Sequence, residues 1–102
     1  MEEKQVNHQI DIELNEEIAE GIYSNLAIIT HSQSEFVVDF IKLMPGVPKA
    51  KVKSRILLTP QHAKRLAKAL LDNIQKFEQV NGKIKDLENT FPINFGGPTA
   101  QA

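Results

Sequence analysis

Hydrophobic and polar residues alternate along residues 6–14. Val6, Ile10, Ile12 and Leu14 fall on one side with His8 between them, and Asn7, Gln9, Asp11 and Glu13 fall on the other. A period of two predicts a half-buried strand. The acidic stretch from Asn15 to Gly21 breaks the alternation and reads as a short helical turn or a loop. Two more strands are predicted, Ile22 to His31 and Glu35 to Met44, joined by the small polar run Ser32-Gln33-Ser34. A turn that short makes them antiparallel neighbours. Pro45-Gly46-Val47-Pro48 is the strongest break in the chain, because proline fixes φ and lacks an amide donor. Beyond it, Lys49 to Leu58 predicts a fourth strand. Lys49, Lys51, Lys53 and Arg55 project to one side of it, and Ala50, Val52, Ser54, Ile56 and Leu58 to the other.

The period then changes. Thr59-Pro60 opens a helix, since threonine accepts from a free first-turn amide and proline is favoured at the first helical position. Ala63, Leu66, Ala67, Leu70, Ile74, Phe77 and Val80 recur at steps of three and four. That spacing puts them on one stripe, expected to face the core. Asn81-Gly82 ends the helix, with glycine free to take a left-handed cap.

The expected fold is therefore α+β: a four-stranded antiparallel meander followed by one long C-terminal helix. Residues 1–82 form the domain. Residues 83–102 form an extension with two prolines and two glycines, either disordered or docked through Phe91, Ile93 and Phe95 on the same or a neighbouring subunit.

The third predicted strand bears on assembly. Phe36, Val38 and Phe40 lie on one face, and Val37, Ile41 and Leu43 on the other, interrupted by Asp39. A strand apolar on both faces needs cover on both, and one helix covers one. The expectation is a homodimer or tetramer formed through the uncovered face. Phe36, Val38, Phe40, Phe91 and Phe95 are its candidate contacts, with binding of another protein as a further use of the same surface.

The totals narrow the chemistry. A chain of 102 residues with 41% apolar and 25% charged residues fits one globular domain. It has no cysteine, so disulfides, thiolate zinc sites and cysteine nucleophiles are excluded. The acidic start resembles no signal peptide, and no run is long enough to span a bilayer, so a cytoplasmic protein without membrane contact is expected. His8, His31 and His62 are not at metal-ligand spacing. His31, Ser32, Ser34 and Asp39 are the residue types of a nucleophilic triad, but no nucleophile elbow accompanies them. No catalytic residue, metal site or cofactor is predicted, and the chain is not expected to be an enzyme.

Charge is unevenly spread. Residues 1–51 hold nine acidic and four basic side chains (−5), and residues 52–102 hold four and eight (+4). Lys51, Lys53 and Arg55 on the last strand, with Lys64, Arg65 and Lys68 on the helix, define an alternative use as a nucleic-acid patch. No aromatics interleave them for base stacking. Lysines on an edge strand also deter edge-to-edge aggregation, and Lys68 is one helical turn from Asp72.

The pieces Tyr23-Ser24-Asn25, Ser34-Glu35-Phe36-Val37-Val38-Asp39-Phe40, Pro45-Gly46 and Ser54-Arg55-Ile56-Leu57-Leu58-Thr59-Pro60-Gln61-His62-Ala63-Lys64 together resemble a small bacterial family, domain of unknown function 3467, over roughly residues 8–82. The resemblance implies the same order of strands and helix and carries no catalytic residues. That order also looks like the SecB-type export-chaperone fold, in which sheets mediate assembly. By analogy it implies a chaperone-like binder, although topology alone does not license function.

Overall fold

The structure, a computed structural model, describes residues 9–86. Its elements are α1 (Glu16–Ala19), β1 (Leu26–His31), β2 (Phe36–Lys42), β3 (Lys51–Leu58) and α2 (Pro60–Asn81). The three strands form one antiparallel sheet in the order β1-β2-β3. The α+β class and the strands-then-helix order are as the periodicity predicts.

The alternating segment at the start does not form a fourth strand among the described residues. Ile10, Ile12 and Leu14 are exposed, Ile12 at 90%, and residues 9–14 carry no strand pairing. Alternation describes a surface that a strand could bury. It does not decide whether the segment pairs with either of the sheet's two open edges, β1 and β3. Val6, Asn7 and His8 lie outside the described residues. The acidic stretch that follows is the short helical turn α1. Asn15 Oδ1 accepts from the Ile18 amide at 2.9 Å, and Gly21 leaves the turn at φ 79°.

Two hairpin connections build the sheet. Between β1 and β2, the Ser32 amide donates to the Glu35 carbonyl at 2.9 Å, and Ser32 Oγ accepts from the amides of Ser34 and Glu35. The hydroxyl thus fixes the loop locally. Between β2 and β3, Val47 N donates to Met44 O at 3.2 Å, with Pro45 and Gly46 (φ 80°) as the central pair. Proline followed by a residue at positive φ is the chemistry of a type II turn.

β1 starts later than the apolar run suggests, and ahead of it side chains join the Asn25 backbone amide, which donates to Ile41 O at 3.0 Å, in pairing with β2. Ser24 Oγ lies 3.0 Å from the carbonyls of both Leu26 and Ile41. Asn25 Nδ2 donates to Leu43 O at 3.1 Å, and Asn25 Oδ1 accepts from Leu43 N at 2.7 Å. One amide side chain therefore imitates a strand neighbour for Leu43. Tyr23 adds its ring under Lys42 Nζ, 5.8 Å from the centroid.

Cross-strand partners share a face, so the register sorts the side chains. Leu26, Ile28, Val37, Asp39, Ile41 and Arg55 lie on one face; Ile29, Phe36, Val38, Phe40, Ser54, Ile56 and Leu58 lie on the other. The buried apolar residues are Ile28, Val38, Ile41 and Leu58, so both faces contribute.

α2 is well capped. Thr59 Oγ1 accepts from His62 N at 3.2 Å, Pro60 follows it, and Gly82 ends the helix at φ 87°. Its apolar stripe, however, does not face a core. None of its residues is buried, and Leu66, Leu70, Leu71, Phe77 and Val80 stand 43–83% exposed. The three-four spacing identified an amphipathic helix correctly. Whether the apolar side meets the chain's own sheet depends on the direction in which α2 leaves β3, and periodicity carries no such information.

Candidate protein-interaction surface

The centre of the sheet holds an ion pair. Asp39 is 3% exposed, between Ile28 on β1 and Arg55 on β3. Arg55 Nε donates to Asp39 Oδ1 at 2.6 Å, and Nη2 donates to Oδ2 at 2.8 Å. This two-pronged contact satisfies a carboxylate that would otherwise be costly to bury. The hydrogen bonds from Arg55 hold the Asp39 carboxyl below its ordinary value; burial pushes the other way and the guanidinium charge adds to the lowering. The same bonds raise Arg55. Asp39 therefore does not merely interrupt an apolar face. It is the partner that fixes β3 beside β2, and a polar residue in a strand sixteen positions before an arginine was the only sequence signal for it.

A register shift between Phe40 and Ile41 changes the geometry of the basic set. Phe40 pairs with Ser54, but Ile41 pairs with Val52, so Lys53 is an extra residue in β3. The bulge turns the strand by one position. Lys51, opposite Lys42, then falls on the face away from Arg55, and Val52 falls on the Arg55 face rather than with Ser54 and Ile56. The single-sided comb expected from strict alternation is thereby broken. Arg55 is committed to Asp39, and Asp72 pairs with Lys76 at 3.1 Å rather than with Lys68. Lys51, Lys53, Lys64, Arg65 and Lys68 are all exposed.

The opposite face carries the expected contact residues. Val38 is buried, while Phe36 and Phe40 are half-buried. Phe36 stacks on His31, with centroids 5.4 Å apart and planes at 28°. Phe40, Ser54 and Ile56 line a groove of about 490 Å³, whose other wall is the α1 region through Glu17, Ile18, Gly21 and Ile22. Part of this face is thus covered within the protomer by a segment read from sequence only as a loop or turn. Phe91, Ile93 and Phe95 lie outside the described residues.

His31, Ser32 and Asp39 are not brought into a triad: Ser32 Oγ serves the turn, and both Asp39 oxygens bind Arg55. Among the described residues no three His, Asp or Glu side chains cluster as metal ligands, and no helix is long and apolar enough to cross a membrane.

An antiparallel three-stranded sheet with a protruding amphipathic helix and open apolar surface defines a small α+β module. The chain belongs to the DUF3467 family, described as a protein of unknown function, whose family model matches residues 1–86. No curated protein and no solved structure matches it. The likeness to the SecB-type fold consequently rests on element order alone, and among the described residues three strands, not four, precede the helix.

Proposed function

We propose that this chain is a non-catalytic, homo-oligomeric assembly or protein-binding module of the cytoplasm. The observation that carries the reading is the open apolar stripe of α2, from Leu66 to Val80. Contiguous apolar surface of this kind on a small domain marks an interaction site. The groove beside Phe40 adds a second apolar recess on the Phe36–Val38–Phe40 face, and chaperone-like capture of extended apolar segments is the finer form of the proposal. Phe91 and Phe95 are further contact residues in the same proposal.

Sedimentation equilibrium of the full chain at micromolar concentration tests the reading. A mass of two or four chains is expected. A mass of one chain throughout refutes assembly. Salt-dependent retardation of DNA or RNA at near-physiological ionic strength, lost on Lys51→Glu with Lys53→Glu, would instead favour the nucleic-acid alternative.

A further inference from the structure

The stripe on α2 has a stricter pattern than amphipathicity requires. Ala63, Ala67, Leu70, Ile74, Phe77 and Asn81 follow one another at steps of four, three, four, three and four. That is the 3.5-residue repeat of a helix-pairing seam, and Leu66, Leu71 and Val80 of the broader apolar stripe flank it. We infer that α2 is the dimerisation element and that two copies pair through it in antiparallel orientation, centred near Asp72. The inference rests on the assembly reading and names its partner as a second copy of this chain.

Orientation follows from matching the helix with itself. Antiparallel pairing about residue 72 opposes residues whose numbers sum to 144. Leu70 then meets the second copy's Ile74, and the small Ala67 meets the large Phe77. Ala63 meets Asn81, whose Nδ2 already donates to its own helix at Phe77 O, 3.1 Å away. The Ala67 layer thus sets a small residue against a large one, and the Leu70 layer matches two of equal size. Parallel pairing would set Ala67 on Ala67 and Phe77 on Phe77, alternating voids with crowding.

Charge selects the same arrangement. Lys64 and Glu78 flank the seam on one side, two heptads apart, and antiparallel pairing places each Lys64 beside the other copy's Glu78. Two-fold symmetry forms this pair twice. On a wider scale, the first half of α2 holds Lys64, Arg65 and Lys68, whereas the second holds Asp72, Lys76 and Glu78. Antiparallel helices set the basic half against the mixed half and oppose their dipoles. Glu78 Oε2 is held by the Ile84 amide at 2.9 Å, which orients the carboxylate and leaves its second oxygen for a lysine.

The area is sufficient. α2 has 22 residues and is about 33 Å long. Counting about 200 Å² for a fully exposed large side chain, the open residues of the stripe leave roughly 600 Å². An ordinary stable complex buries about 800 Å² per partner, and the polar flanks supply the remainder.

The absence of cysteine makes a direct test available. In the antiparallel seam, the two copies of residue 71 lie about 3 Å apart along the axis, and those of residue 80 about 24 Å apart. A short bismaleimide should join Leu71→Cys chains into covalent dimers and leave Val80→Cys chains single. Lys64→Glu or Glu78→Lys alone should raise the dimer dissociation constant about two- to thirtyfold, and the two together should restore it. Joined Val80→Cys chains, unjoined Leu71→Cys chains or failed restoration in a protein that still sediments as a multimer overturns the seam and leaves assembly standing. A single-chain mass at every concentration overturns both.

Discussion

Ile28 offers the most direct measure of where the core lies. It is 2% exposed, pairs with Asp39 across β1 and β2, and shares its face with Leu26 and Ile41. Ile28→Ala removes three carbons, a transfer loss of about 2.4 kcal/mol. The sheet on either side is hydrogen-bonded and collapses little, so a cavity contribution adds to this and brings the cost to about 3–5 kcal/mol. Ile28→Val removes one carbon and should cost about 0.5–1.5 kcal/mol. Against a whole-domain stability of about 5–15 kcal/mol, the alanine variant is close to unfolding and the valine variant is not. Urea titration followed by far-ultraviolet circular dichroism measures both. With a slope of about 1–3 kcal/mol per molar, the Ile28→Ala midpoint should fall by at least about 1 M. All proteins must be compared at one concentration, because association with a second copy raises apparent stability by mass action. Ile12, which is 90% exposed, is the control, and Ile12→Ala should stay within about 0.5 kcal/mol of the parent. Equal losses for Ile28→Ala and Ile12→Ala would show that the core is not organised around the Ile28 face.

Three further outcomes are expected. Because Arg55 lowers the folded-state value of Asp39, the pair stabilises the fold above the ordinary carboxylate range, and that contribution is lost as pH falls through the lowered value; Asp39→Asn should therefore flatten the acid limb of melting temperature against pH, and superimposable limbs would contradict this. Thr59→Ala removes the cap on the His62 amide and should cost about 1 kcal/mol by urea titration, with Thr59→Ser retaining most of it. Gly82 sits at φ 87° and ψ 167° with open space where a Cβ would go, so Gly82→Ala should cost about 1–3 kcal/mol through backbone strain alone; a thermal melt unchanged from the parent would show that the cap relaxes freely.

What the sequence discloses, and what it withholds, divides along physical lines. Turns and caps are local, and they were legible: Ser32, Pro45-Gly46, Thr59-Pro60 and Gly82 each act through bonds within a few residues. Strand and helix periods were legible for β1, β2, β3 and α2 for the same reason. Register was not. The extra residue at Lys53 is invisible in an alternating run, yet it moves Lys51 to the other face from Arg55 and splits the basic set. The Asp39–Arg55 pair is the same kind of fact, since its energy depends on two strands meeting at one level. The segment from Ile10 to Leu14 shows the limit most plainly: it has the alternation of a strand, yet its described residues pair with neither open edge of the sheet.

The helix poses the larger question of what its apolar side is for. A small domain offsets the entropy of ordering its chain with a core, and where the core is small it adds a covalent staple or a partner. Here the buried apolar residues among those described are Ile28, Val38, Ile41 and Leu58, and the lack of cysteine excludes disulfide staples. A 22-residue helix in water gains little from propensity alone and depends on packing for its stability. Yet α2 is capped at both ends by Thr59 and Gly82, terms that set its length against fraying. A seam of 3.5-residue period and a lysine and a glutamate placed to meet their opposites in a second copy supply that packing from outside the protomer. The partner, on this argument, completes the fold as much as the function, so dissociating variants such as Lys64→Glu should lose helical signal at low concentration along with mass. A monomeric Lys64→Glu variant with its circular dichroism intact would separate the two and show α2 to be stable alone.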